Sequence, residues 1–104
     1  MRRSKKKALE AKGWRFGSAQ EFLGLSREET AYVELRLRLA DSLRRRRQKQ
    51  NLSQTALAKL LRSSQSRVAK MEGGDPSVSL DLLIRSLLML GASNRDLGRT
   101  ISAP

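Results

Sequence analysis

The chain has 104 residues, room for one domain and one core. Its 22 Lys and Arg against 10 Asp and Glu give a net charge of +12 and a pI near 11.4, which favours an anionic polymer or surface as partner. Cys and His are absent and aromatic residues make up 4%, which excludes disulfides, Cys/His zinc sites and imidazole or thiolate catalysis, and supplies a stacking platform for single strands poorly.

Residues 1–17 hold seven Lys or Arg against one Glu, with isolated Trp14 and Phe16, and read as a basic arm that cannot form a core alone. The start MRRSKKK runs into ALEAKGW rather than an apolar stretch. No run approaches the ~20 apolar residues that span a bilayer, so a cytoplasmic protein without a membrane partner is expected. Asn51, Leu52 and Ser53 match the glycosylation pattern, a match read as chance in that setting.

Ser18 with Glu21 has the form of a capping box, so a short helix ending at Gly24 is expected, and Ser26 with Glu29 repeats the form. There the spacing predicts a long helix over about 27–50, with Tyr32, Leu35, Leu39 and Leu43 inward and Val33, Leu37 and Ala40 widening the stripe. Val33, Leu35, Leu37 and Leu39 also alternate as a strand would; the cap and the surrounding helix formers favour the helix.

Ser53 is placed to cap a helix over 54–61 that turns Leu57, Ala58 and Leu61 inward. Arg62 and Ser63 form a tight turn, and Ser64 opens a helix reaching Met71 with Val68 inward. After the breaker Gly73, Gly74, Asp75, Pro76, Ser79 opens a helix with Leu80, Leu83, Ile84, Leu87 and Leu88 inward, ended by Gly91. Ser93 with Asp96 begins a last helix toward Ile101.

The segment LSQTALAKLLRSSQSRVAKMEGGDPSVSLDLLIRSLLMLGAS resembles the DNA-binding domain of the Cro/C1 (XRE) helix-turn-helix family, over about residues 37–97. The matching residues are Leu52, Ser53 and Gln54 opening one helix, Leu57 and Ala58 at a close crossing, Ser64 to Ser66 opening the next, Val68, and Met71 to Gly74 closing it. The resemblance implies an all-α, compact four- to five-helix, lambda-repressor-like domain, with a short N-terminal helix and basic arm added here. Arg62 departs from the family's frequent Gly; a Cβ in a left-handed turn costs roughly 1 kcal/mol, so local distortion is expected.

By the same resemblance, Ser64, Gln65, Ser66 and Lys70 face base edges in the major groove, where Gln suits adenine and Lys guanine. Gln54, Arg67 and the backbone N–H groups of the loop from Gly73 to Ser77 would meet phosphates, with the next base as the alternative for Arg67, and Arg44 would face either a phosphate or solvent. Arg44 to Arg47 cannot all face DNA, because successive helical residues diverge by 100°; the family pattern pairs Arg47 with Glu72. The family commonly reads two half-sites, which implies a homodimer on double-stranded operator DNA, and Leu97 and Ile101 are the expected dimer contact. Polar surface is the plain alternative for Gln65 and Ser66, capping support for Gln54, and packing within one subunit for Leu97 and Ile101.

With GWRFGSAQEFLGLSREETAYVELRLRLADSLR placed before this motif, the whole chain also resembles HigA-type antitoxins. That resemblance implies an autorepressor whose residues 1–25 neutralise a RelE/HigB-like ribonuclease toxin through Trp14, Phe16, Phe22 and Leu23, with residues 26–104 forming the DNA-binding domain. A stand-alone XRE regulator and an interaction module that never reads DNA are the alternatives. An enzyme is not expected and no cofactor is implied: Ser66 and Lys70 stand four apart, but no apolar pocket is suggested around the lysine. A membrane-surface binder is disfavoured because the apolar faces are needed for helix packing.

Overall fold

Five serines open five helices in the computed structural model, which describes Gly24 and residues 26–103. The helices are α1 (Arg27–Lys49), α2 (Gln54–Leu60), α3 (Gln65–Glu72), α4 (Leu80–Met89) and α5 (Asn94–Ser102), and no strand occurs among the described residues. The Oγ atoms of Ser53, Ser64 and Ser79 accept the N–H three residues on, at 3.0, 3.2 and 3.1 Å. Ser26 with Glu29 and Ser93 with Asp96 close reciprocal capping boxes. Each cap satisfies an N–H that the helix leaves without an internal partner. The short helix expected before Gly24 lies outside the described residues.

The C-terminal ends obey one rule as well. After α1, α2, α3 and α4 the chain passes through a left-handed residue, respectively Asn51, Arg62, Gly74 and Gly91. The following N–H returns to a carbonyl five residues back: Leu52 to Arg47, Ser63 to Ala58, Asp75 to Lys70 and Ala92 to Leu87. This is the Schellman arrangement, which satisfies carbonyls at the helix end. Gly74 suits its place because its φ is +73°, and an added Cβ would stand 2.5 Å from Leu37 Cδ2 and have to displace that side chain's movable end. Arg62 adopts the left-handed φ of +56° without disrupting the motif. The expected local distortion is therefore absent, and the penalty is in the residue's own backbone.

The chain divides into two compact units between Glu34 and Leu35, a point within α1. In the second unit one core gathers Leu39 and Leu43 of α1, Leu57 and Ala58 of α2, Val68 and Met71 of α3, and Leu83 and Leu87 of α4. Val78, Leu90 and Ala92 from the connections complete it. This is the all-helical Cro/C1-type architecture.

Three expected core residues are exposed instead: Tyr32, Leu37 at 49% and Leu88 at 46%. On α4 the inward stripe centres on Leu83, Leu87 and Leu90, which leaves Leu88 rotated away and turns Ser86 inward. Ser86 is tolerated there because its hydroxyl donates to Leu82 O at 2.8 Å. On α1 the stripe of Leu39, Ala40 and Leu43 likewise turns Leu37 toward Gly74.

Arg62→Gly is expected to stabilise the fold by about 0.5–1 kcal/mol, the left-handed penalty less the glycine's larger unfolded-state entropy. Urea denaturation checks this, and an unchanged or lowered midpoint would refute the strain at Arg62.

The Asp96 carboxyl is held below its ordinary value of 3.8, first by the backbone and hydroxyl of Ser93 and then by Arg46 and Arg99. A depressed folded-state pKa gives stability that is complete above 3.8 and lost as the pH falls through the depressed value. Over that acid range the wild type should lose more stability than Asp96→Asn; parallel stability–pH curves would remove Asp96 from the acid limb.

Candidate nucleic-acid interface

α2 and α3 pack on each other through the tight turn at Arg62 and Ser63. Val68 and Met71 anchor the inner face of α3 in the core. At 100° per residue the outer face therefore carries Ser66, Ala69 and Lys70, flanked by Gln65 and Arg67. Gln65, Ser66, Arg67 and Lys70 are all exposed. Ser64 precedes the helix, and its hydroxyl accepts Arg67 N–H and lies 3.2 Å from Ser66 Oγ. Capping is thus the role that these contacts give it.

A chain of polar contacts organises this end of the helix. Arg47 Nε and Nη2 donate to Glu72 Oε2 and Oε1 at 2.5 and 3.0 Å, and Arg47 Nη1 donates to Leu52 O at 2.7 Å. The pair is largely removed from water, with side-chain exposures of 12% for Arg47 and 4% for Glu72. The Glu72 hydrogen bond holds the guanidinium pKa above its ordinary value, outweighing the opposing effect of burial, and the attraction of the Glu72 charge adds to it. Glu72 Oε1 also accepts Gln54 Nε2 at 3.1 Å, and Gln54 Oε1 accepts Gln65 Nε2 at 2.6 Å.

These contacts determine which way both amides point. An ionised carboxylate only accepts, so Gln54 must turn its NH2 to Glu72 and its oxygen to Gln65. Gln65 must then turn its NH2 toward Gln54, leaving its oxygen and a second N–H side by side at the exposed first turn of α3. An acceptor beside a donor is the pattern that matches the N6 and N7 edge of adenine.

The other residues singled out in the sequence fall in several places. Arg44 is half exposed and donates to Asp41 Oδ1 at 2.7 Å; Arg45 shares Asp41 at 2.8 Å. Arg46 pairs with Asp96 at 3.3 Å. All four consecutive arginines thus have a carboxylate partner. Ile101 is exposed at 43%, whereas Leu97 is partly buried and packs against the core. Packing within one subunit, the plain alternative for these residues, thus describes Leu97, which holds α5 to the domain. Trp14, Phe16, Phe22 and Leu23 lie outside the described residues.

The loop expectation is also corrected. The N–H groups of Gly73, Gly74, Asp75 and Val78 bond to backbone carbonyls, Pro76 has none, and Ser77 N–H donates to Asp75 Oδ1 at 2.8 Å. The Schellman end of α3 and the Asp75 turn consume every donor, so the loop has no backbone N–H left for a phosphate. The Ser77 backbone N–H and then its hydroxyl, followed by the charges of Lys70 and Arg36, hold the Asp75 carboxyl below its ordinary pKa. Gly73 and Ser77 are themselves exposed.

Two features escaped the reading of the sequence. Ala69 sits on the outer face between Gln65 and Lys70, a position that i+3 spacing from Ser66 would have indicated. The contact joining Gln54 to Gln65 brings together side chains eleven residues apart, with no local signal.

A family model described as a helix-turn-helix domain matches residues 38–99. The chain belongs to this helix-turn-helix family. The match begins within α1 and ends within α5, so the helix-turn-helix domain includes the polar chain from Arg47 to Gln65 entire. No curated protein and no solved structure matches the chain. Among the described residues no helix is long and apolar enough to cross a membrane.

Removing one partner of the Arg47–Glu72 pair strands the other charge in a nearly dry place. Arg47→Met should destabilise the domain by about 3 kcal/mol, and Arg47→Met with Glu72→Leu by less than the sum of the single changes. A double-mutant cycle in urea measures both. Single changes under about 1 kcal/mol would mean that the pair behaves as a solvated surface pair.

Proposed function

We propose that the chain is a sequence-specific transcriptional repressor that binds duplex operator DNA as a homodimer, with the first turn of α3 in the major groove. The observation that carries this reading is the exposed amide edge of Gln65, oriented through Gln54 by the buried Glu72. An α-helix of about 10–12 Å diameter fits a major groove about 12 Å wide. In this reading Gln65 takes adenine, and Ser66 and Lys70 read the neighbouring base edges. Ala69 offers a methyl group to thymine, and Ser64 assists at the cap.

Phosphates are met by Arg67, by Arg44, by the Ser77 hydroxyl and by the start of α2 at Gln54. There the helix start offers the N–H groups that the Ser53 cap does not take. Ile101 on the outer side of α5 is the dimer contact, and residues 26–104 act as the DNA-binding domain. The reaction class is recognition, with no catalytic residue assigned.

The finer reading, that the repressor is the antitoxin of a RelE/HigB-like ribonuclease toxin, is supported by the resemblance of the whole chain to HigA-type antitoxins. Residues 1–25, with Trp14, Phe16, Phe22 and Leu23, then form the toxin-binding segment. Deleting them should abolish a toxin complex and leave operator binding in place.

Gln65→Ala is expected to weaken binding to the DNA upstream of the protein's own gene by about 1–3 kcal/mol and to leave binding to random duplex unchanged. Mobility shifts at two salt concentrations measure this, because phosphate contacts weaken steeply with salt on any sequence. Equal losses on both DNAs would defeat the assignment of Gln65 to a base.

A further inference from the structure

The cationic excess is not confined to α3. A groove of about 570 Å³ runs between the C-terminal half of α1 and α5, lined among the described residues by Arg38, Arg45, Arg46, Lys49 and Arg99 against one carboxylate, Asp41. Ser42 and Thr100 meet across it, with their hydroxyls 3.4 Å apart. Arg46 and Arg99 share Asp96, and Arg45 shares Asp41 with Arg44, so two carboxylates balance four arginines. Lys49 has no ion pair among the described residues, and Arg45 and Arg99 project with side-chain exposures of 77% and 68%.

This groove lies away from the face that α3 presents. Arg47 points to Glu72 at the end of α3, and Arg45 and Lys49 are each two residues from Arg47. At 100° per residue they stand about 200° around α1, on its far side. On the groove side, Arg38 reaches Ile101 O at 3.3 Å and Arg46 reaches Asp96.

We propose that this groove is a docking site for an acidic polypeptide segment of another protein, used independently of the DNA face. Charge complementarity selects the occupant. The groove is an open trench with space for a few side chains, whereas a double helix is too wide to enter it. Among the described residues no aromatic ring lines it, so single-stranded bases find no stacking partner there. Small-ligand sites bury most of their ligand, which an open trench does not do. The chain's own residues 1–17, with seven basic residues and one Glu, carry the wrong charge for it. Carboxylates of an extended segment would meet Arg45, Lys49 and Arg99 at the rim and the two hydroxyls on the floor.

The test uses the full chain and a fluorescein-labelled oligoglutamate peptide, with binding read by anisotropy at physiological salt. Arg45→Glu/Lys49→Glu should weaken binding about tenfold or more, while Lys59→Glu/Arg85→Glu, an equal change of net charge on α2 and α4, should alter it less than about twofold. Amide shifts in NMR spectra of the wild type should cluster at residues 38–49 and 99–103. Equal weakening by the two double variants, or shifts centred on α3 or on residues 1–17, would overturn the proposal in favour of unspecific charge attraction. Loss of random-duplex binding in Arg45→Glu/Lys49→Glu would assign the groove to DNA, and loss of a dimer in sedimentation equilibrium would assign it to a second copy; either result overturns the proposal.

Discussion

Arg47 and Glu72 hold the domain's working parts in register. A nearly dry carboxylate must have its charge balanced and its oxygens satisfied, and here that requirement is met by residues from two different helices. Arg47 brings the end of α1 against the end of α3, and its third donor holds Leu52 O in the connection to α2. Gln54 adds the start of α2 and Gln65 the start of α3. One acceptor-only group thereby ties together four ends of three helices and orients two amides, so a structural ion pair and the exposed first turn of α3 are parts of the same network.

The remaining charges divide between scaffold and surface. Asp41, Asp96 and Glu72 each engage one or two of the arginines in the run from Arg44 to Arg47, and Asp75 bonds within its own turn. Much of the acidic complement is therefore committed to holding helices and turns. The basic surplus that gives +12 emerges on the outer face of α3 and in the groove between α1 and α5. Steering toward anions follows from the total charge, but the separation of two cationic faces follows from the 100° rotation between neighbours on α1. Four adjacent arginines that look like one patch in the sequence serve three different neighbours.

The helix starts were legible because an N-cap is a local device: Ser26, Ser53, Ser64, Ser79 and Ser93 each act on an N–H three residues away. The core was mostly legible, since Leu39, Leu43, Leu57, Val68, Met71, Leu83 and Leu87 follow helical periodicity. Periodicity cannot locate the edges of a buried stripe, however, because a helix presents a graded surface whose burial depends on what packs against it. Leu37 and Leu88 fell outside for that reason and Ser86 fell inside. Arg62 shows a different limit. Its side chain disfavours the left-handed turn, yet the 6→1 bond from Ser63 to Ala58 and the packing of α2 on α3 keep the backbone there.

By itself the sequence determined the helical class, the positions of the caps and breakers, the absence of thiol and imidazole chemistry, and the surplus of positive charge, all properties carried by residue identity and short-range spacing. Tertiary structure alone decided which donors were left over. It closed the Gly73 to Ser77 loop by using its N–H groups internally, set Leu97 against the core, and turned the Gln65 amide outward through a carboxylate seven residues further along and a glutamine eleven residues earlier. Hydrogen-bond capacity is distributed only when distant segments meet, so no local pattern can foretell which groups remain available to a partner.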